Sequence, residues 1–143
     1  MKLKDNTHTT NYFNTLIEVA ADCKTAQGVF PILKNDKKTI ALMQFEMIAK
    51  NPYVYTSDDV LFQVYALRND LIASELNEAR SQFFSKGQAC FRASPLTKQY
   101  GWGVHCNEEG KIALCDCSSE QYQSLLNDSS VHKVKAMQTT RNK

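Results

Sequence analysis

Between Tyr100 and Cys117 the chain alternates with a period of two. Trp102, Val104, Cys106, Ile112 and Leu114 fall on one side, and Gly101, Gly103, His105, Ala113, Cys115 and Cys117 on the other. Asn107-Glu108-Glu109-Gly110-Lys111 supplies a turn with glycine where a left-handed residue is needed, so the pattern predicts a β-hairpin. Its register sets Cys106 opposite Ile112, Val104 opposite Leu114 and Trp102 near Asp116. The apolar side is core. The small-residue side has to be approached closely, either by a helix of the same chain, the favoured reading, or by a ligand.

Elsewhere the patterning is mixed. Thr9 to Ala21 alternates as a strand through Phe13, Thr15, Ile17 and Val19, although Tyr12, Leu16, Val19 and Ala20 also satisfy helical spacing. After a connection from Cys23 to Asn35, Ile40, Met43, Met47 and Ile48 recur at helical spacing, with Asp36 as the expected cap and Asn51-Pro52 as the stop. A second helix is predicted from Thr56, with Asp59 completing a capping box and Val60, Leu61, Val64 and Leu67 on one face. The adjacent Asp58 and Asp59 do not converge on a helix and suit its first turn electrostatically. A third helix runs from a cap near Ser74 to Gly87, expected in the left-handed cap conformation. A strand from Ala89 to Ala93 should end at Ser94-Pro95 in a shaped loop. A capping box of Ser118 and Gln121 opens a short helix. Val131 to Met137 reads as a final strand, with Lys133 and Lys135 marking an exposed edge.

These elements predict an α+β fold, an antiparallel sheet of four or five strands with helices packed mainly on one face. At 143 residues the chain reads as a single domain, 1–143, with 1–8 and 138–143 frayed. It has 43% hydrophobic and 22% charged residues, which excludes wholesale disorder, and the formal charge of +2 argues against a nucleic-acid surface. No signal-peptide core or membrane-length apolar run occurs, so no membrane partner and a cytoplasmic location are expected, with the five cysteines as thiols. Oligomeric state is not legible.

Chemistry concentrates in one region. Four of the five cysteines, four of the five glycines and the only tryptophan lie between Gly87 and Cys117. Arg92, Ser94, Thr97, Lys98 and Tyr100 gather two cations and three hydroxyls ahead of His105, donors suited to a phosphate or carboxylate. Against this stands the plainer reading that such residues close a turn. Arg92, Ser94, Lys98, Tyr100 and His105 are therefore the expected ligand-binding residues for a small anionic molecule or a peptide. The alternative is a small enzyme in which Cys90 or His105 acts with Arg92; Cys106 is a poor partner for His105, because strand neighbours face opposite ways. No metal and no cofactor are expected, since His105, Cys115 and Cys117 lack a zinc-ligand spacing.

Five motifs carry a resemblance over nearly the whole length: His8-Thr9-Thr10-Asn11-Tyr12, the run from Tyr55 to Phe62, the run from Phe83 to Gln88, Arg92-Ala93-Ser94-Pro95-Leu96-Thr97-Lys98, and Tyr100-Gly101-Trp102-Gly103. In these the chain resembles a family of small proteins known only as a domain of unknown function. The resemblance implies no activity, cofactor or catalytic residue.

Overall fold

A computed structural model describes residues 7–139. The expected fraying of the two ends falls largely on residues 1–6 and 140–143, which lie outside the described residues. Those just inside are held: the His8 N–H donates to the Phe84 carbonyl at 2.8 Å, and the Thr139 N–H to Asp22 at 2.9 Å.

Four strands form one mixed sheet. β1 (Thr15–Glu18), β2 (Trp102–Cys106), β3 (Ile112–Asp116) and β4 (His132–Lys135) lie in the order β3-β2-β1-β4. The β2–β3 hairpin has the register its turn chemistry demands, Cys106 with Ile112, Val104 with Leu114 and Trp102 with Asp116, and Gly110 sits at φ 81°. The expectation of a purely antiparallel sheet is corrected, because β4 pairs with β1 in parallel, Ile17 opposite Val134. β3 and β4 therefore run the same way at opposite edges. A parallel return needs a connection long enough to cross the sheet, and the helix α5 (Glu120–Asn127) supplies it.

The long excursion between β1 and β2 holds the remaining helices: α1 (Ile40–Lys50), α2 (Ser57–Arg68), α3 (Leu76–Phe83) and the single turn α4 (Pro95–Lys98). Ala41, Phe45 and Ile48 of α1, Val60 and Val64 of α2, and Phe91 and Leu96 bury against Ile17, Val104, Cys106 and Ile112. Tyr122, Leu125 and Leu126 of α5 cover the opposite face over Leu16 and Cys115. β1, with β2 and β4 on its two sides and side chains packed over both faces, buries Leu16 and Ile17 alike, so its sequence alternates less cleanly than a half-solvated strand. A smaller cluster of Phe62, Ala66 and Phe84 with Leu71, Leu76, Ala79 and Phe83 attaches α3 to the back of α2.

The small-residue side of the hairpin is covered by a helix of the chain itself. A Cβ added at Gly103 would lie 2.6 Å from the Tyr122 ring and 3.2 Å from the Ile17 carbonyl. Several local expectations are corrected by longer-range partners. Ala89 to Ala93 is not a strand; Phe91–Ala93 is a 3-10 turn leading straight into α4. The predicted strand from Thr9 to Ala21 is confined to β1, because the segment before it packs onto α2. Thr39, not Asp36, caps α1, its hydroxyl taking the Leu42 N–H at 3.1 Å, while Asp36 sits at φ 61°. Ser119, not Ser118, caps α5: its hydroxyl accepts the Tyr122 N–H at 3.1 Å, while the Ser118 hydroxyl donates to the Asp116 carboxylate. Gly87 follows α3 by several residues and is not left-handed. Thr56 and Asp59 do form the expected capping box of α2.

Candidate functional site

The segment 90–100 is built as a self-braced turn. Ser94 is extended (φ −72°, ψ 142°), as a residue before proline must be, and Pro95 opens α4. The Ser94 hydroxyl accepts the Leu96 N–H at 3.1 Å and donates to Gln44 of α1 at 3.1 Å. The fully buried Thr97 hydroxyl donates to the Phe91 carbonyl, which closes the turn and fixes Phe91 and Leu96, both 0% exposed, in the core. Ser94 and Thr97 are thus satisfied internally.

Arg92 reaches outward to the end of the chain. Its Nε donates to the Lys135 carbonyl at 2.7 Å, and its own carbonyl accepts the Met137 N–H at 2.8 Å. The segment after β4 is pinned there and runs on to Thr139. Lys98, the last residue of α4, lines a cavity of about 320 Å³ with Asp22, Lys24, Gln99 and Thr139. Neither Lys24 nor Lys98 has an ion-pair partner among the described residues. Tyr100 is partly buried against the main core, and its carbonyl accepts the Val29 N–H at 2.9 Å. Arg92, Ser94, Lys98 and Tyr100 therefore share one stretch of backbone, and of the four only Lys98 lines this cavity.

His105 stands apart. It faces the other side of the sheet, where Nδ1 meets the Tyr53 hydroxyl at 2.8 Å and the two rings make an edge contact with centroids 5.6 Å apart. Burial lowers the His105 pKa. Tyr53 itself holds φ 58°, a strained conformation for an aromatic residue, fixed by its N–H donating to the Ile112 carbonyl at 2.9 Å.

The thiols divide by environment. Burial pushes Cys106 up to about 12 and Cys115 up to about 11, which leaves both as inert packing groups at neutral pH. Cys90 is partly exposed at the start of the 3-10 turn. Tyr12 packs on the main core nearby: burial raises its pKa, the Cys90 thiol adds to the rise, and the Arg92 guanidinium opposes it. Among the described residues no three His, Cys, Asp or Glu side chains are grouped so as to hold a metal ion, and no helix is long and apolar enough to cross a membrane.

The residues that sequence reasoning missed are Asp22, Lys24, Gln99 and Thr139 around Lys98, and Tyr12 beside Cys90. Lys24 and Lys98 are brought together only by the packing of the 20–28 loop on α4, so no motif could announce them. Two of the resemblance motifs turn out to grip each other. Asp58 is buried and accepts the Thr9 hydroxyl at 2.6 Å, the Thr10 N–H at 2.7 Å and the Thr10 hydroxyl at 2.7 Å, while its own N–H donates to Asn11 at 2.9 Å. Asp59 faces elsewhere and pairs with Arg80 at 2.9 Å. The two carboxylates serve as clamp and cap.

In comparisons with known proteins, the model of a family of unknown function matches residues 7–142. No curated protein and no solved structure matches the chain.

Proposed function

The chain belongs to the family of unknown function DUF6157, which assigns no chemistry, and from the geometry we propose that it binds a small anionic molecule, or the carboxylate of a peptide, at the Lys24–Lys98 cavity. The observation that carries this reading is the presence of two lysines, without ion-pair partners among the described residues, in the lining of one concavity of about 320 Å³. That size is at the small end of ligand sites, and cations lining a concavity suit an anion. Gln99 adds an amide. Asp22, which accepts the Thr139 N–H, lines the same cavity.

The other expected residues act by placement. Ser94 sets where α4 begins and hence where Lys98 ends it; Arg92 anchors the segment that continues to Thr139 on the rim; Tyr100 ties the exit of α4 to the 29–30 backbone. His105, on the far face with Tyr53, takes no part.

The test is thermal unfolding with phosphate, succinate, citrate and glutamate on wild type and on Lys24→Ala, Lys98→Ala. A ligand at a hundredfold excess over Kd adds about 2.7 kcal/mol, and the double variant should lose that gain. Indifference of the wild type to all four anions removes the reading.

The nearness of Tyr12 to Cys90 and Arg92, felt in its raised pKa, favours a second reading, an enzyme with Cys90 as nucleophile, Arg92 as the charge that steadies its thiolate or an oxyanion, and Tyr12 as proton donor. The rate of Cys90 alkylation by iodoacetamide against pH decides it: an activated thiol reacts below pH 7, and a profile rising at the free-thiol value near 8.5 ends the proposal.

A further inference from the structure

A second concavity shares no lining residue with the first. It is a groove of about 910 Å³ between α3 and the end of α2, floored by Leu71 and Ala79 and walled by Tyr65 and Phe83. The two aromatic rings sit 4.8 Å apart at a 45° tilt, and Tyr65 is 41% exposed, so part of its ring faces solvent. Glu75 and Glu78 line the same groove from α3.

The charges in this region are unevenly spent. Residues 51–85 carry Arg68 and Arg80 against Asp58, Asp59, Asp70, Glu75 and Glu78, in a chain whose formal charge is +2. Asp58 is consumed by the threonine clamp. Asp59 and Arg80 neutralise each other, with the guanidinium also lying over Phe62 and Phe84 at 5.7 and 5.6 Å. Glu75 uses one oxygen on the Ile72 N–H at 2.9 Å, and neither Glu75 nor Glu78 has an ion pair among the described residues. Asp70 and Arg68 lie off the groove, so the charges on it are Glu75 and Glu78 against Lys86, an excess of one negative charge beside aromatic faces.

We propose that this groove docks a cationic peptide segment, with an arginine or lysine side chain laid over Tyr65 and Phe83 and its charge at Glu75 and Glu78. A ring face attracts a cation by its quadrupole, and a carboxylate alongside strengthens the attraction. Lys86, on the same groove, faces the peptide's carbonyls or terminal carboxylate and gives the segment a direction. This occupant does not depend on the anion site, and either one stands if the other fails.

The experiment is fluorescence anisotropy of a fluorescein-labelled tetra-arginine peptide, with a tetra-glutamate peptide beside it. The full chain should bind tetra-arginine, more weakly as salt rises, and should not bind tetra-glutamate. The variant Glu75→Gln, Glu78→Gln keeps an oxygen for the Ile72 N–H, so it folds, and should weaken binding at least tenfold. The control Glu108→Gln, Glu109→Gln removes equal charge from the hairpin turn and should leave affinity within about twofold, an energy under about 0.5 kcal/mol. Equal losses in both variants would mean that only the overall field is felt, and no binding at about 1 mM peptide would leave the groove without this partner; either result overturns the proposal.

Discussion

Asp58 offers the sharpest test of how the chain is held together. It is 8% exposed and accepts three hydrogen bonds, from the Thr9 and Thr10 hydroxyls and the Thr10 N–H, at 2.6 to 2.7 Å. Asp58→Ala strips the acceptor from all three at once. A hydrogen bond to a charged group contributes roughly 1.5–3 kcal/mol, and each donor left buried without a partner adds its desolvation. The three share one acceptor and are not additive, so the loss should be about 3–5 kcal/mol, a large part of the 5–15 kcal/mol that holds a typical domain. At about 2.1 cal/mol/K per residue, a chain of 143 residues loses roughly 3 °C of Tm per kcal/mol, which makes the fall about 10–15 °C. Asp58→Asn keeps the shape and one acceptor oxygen and should lose less than half as much. The assay is urea unfolding followed by circular dichroism. A second readout is amide hydrogen exchange at residues 9–12, where protection should vanish in the alanine variant. If Asp58→Ala costs under about 1 kcal/mol, or if residues 9–12 stay protected, the clamp does not anchor the N-terminal segment and the reasoning is wrong.

Two further outcomes follow from the small-residue side of the hairpin. Gly103→Ala drives a Cβ to within 2.6 Å of the Tyr122 ring, which cannot swing away freely because its hydroxyl accepts the Val19 N–H at 3.1 Å; the cost should be about 1–3 kcal/mol, recovered in part by Tyr122→Leu, and an unchanged midpoint in urea would refute the contact. His105 is held neutral by burial, its folded pKa below its unfolded one, so its contribution is complete above the unfolded value near 6.5 and is lost as pH falls from there toward the lowered folded value. Wild type should therefore lose more stability between pH 8 and pH 5.5 than His105→Gln, and parallel profiles for the two would remove the claim.

What the sequence determined by itself was whatever rests on neighbours. The hairpin register follows from a turn with glycine at its left-handed position and from the period of two, both decided within about fifteen residues, so every pair from Trp102–Asp116 to Cys106–Ile112 was legible. The Thr56–Asp59 cap was legible for the same reason. The tertiary structure decided the rest, because the deciding partner lay far away. Ser94-Pro95 permits either a strand end or a helix start, and Gln44 of α1, fifty positions earlier, takes the hydroxyl of Ser94 at the start of α4. β4 reads as an edge strand of either sense. It lies parallel to β1 because α5 must cross the sheet to cover Leu16 and Cys115. His105 was assigned to the correct face of its strand, yet its partner Tyr53 comes from a loop fifty-two residues away. Lys24 and Lys98 meet only because the chain is folded, since no local preference connects residues that far apart, and long-range packing alone sets which charges share a cavity.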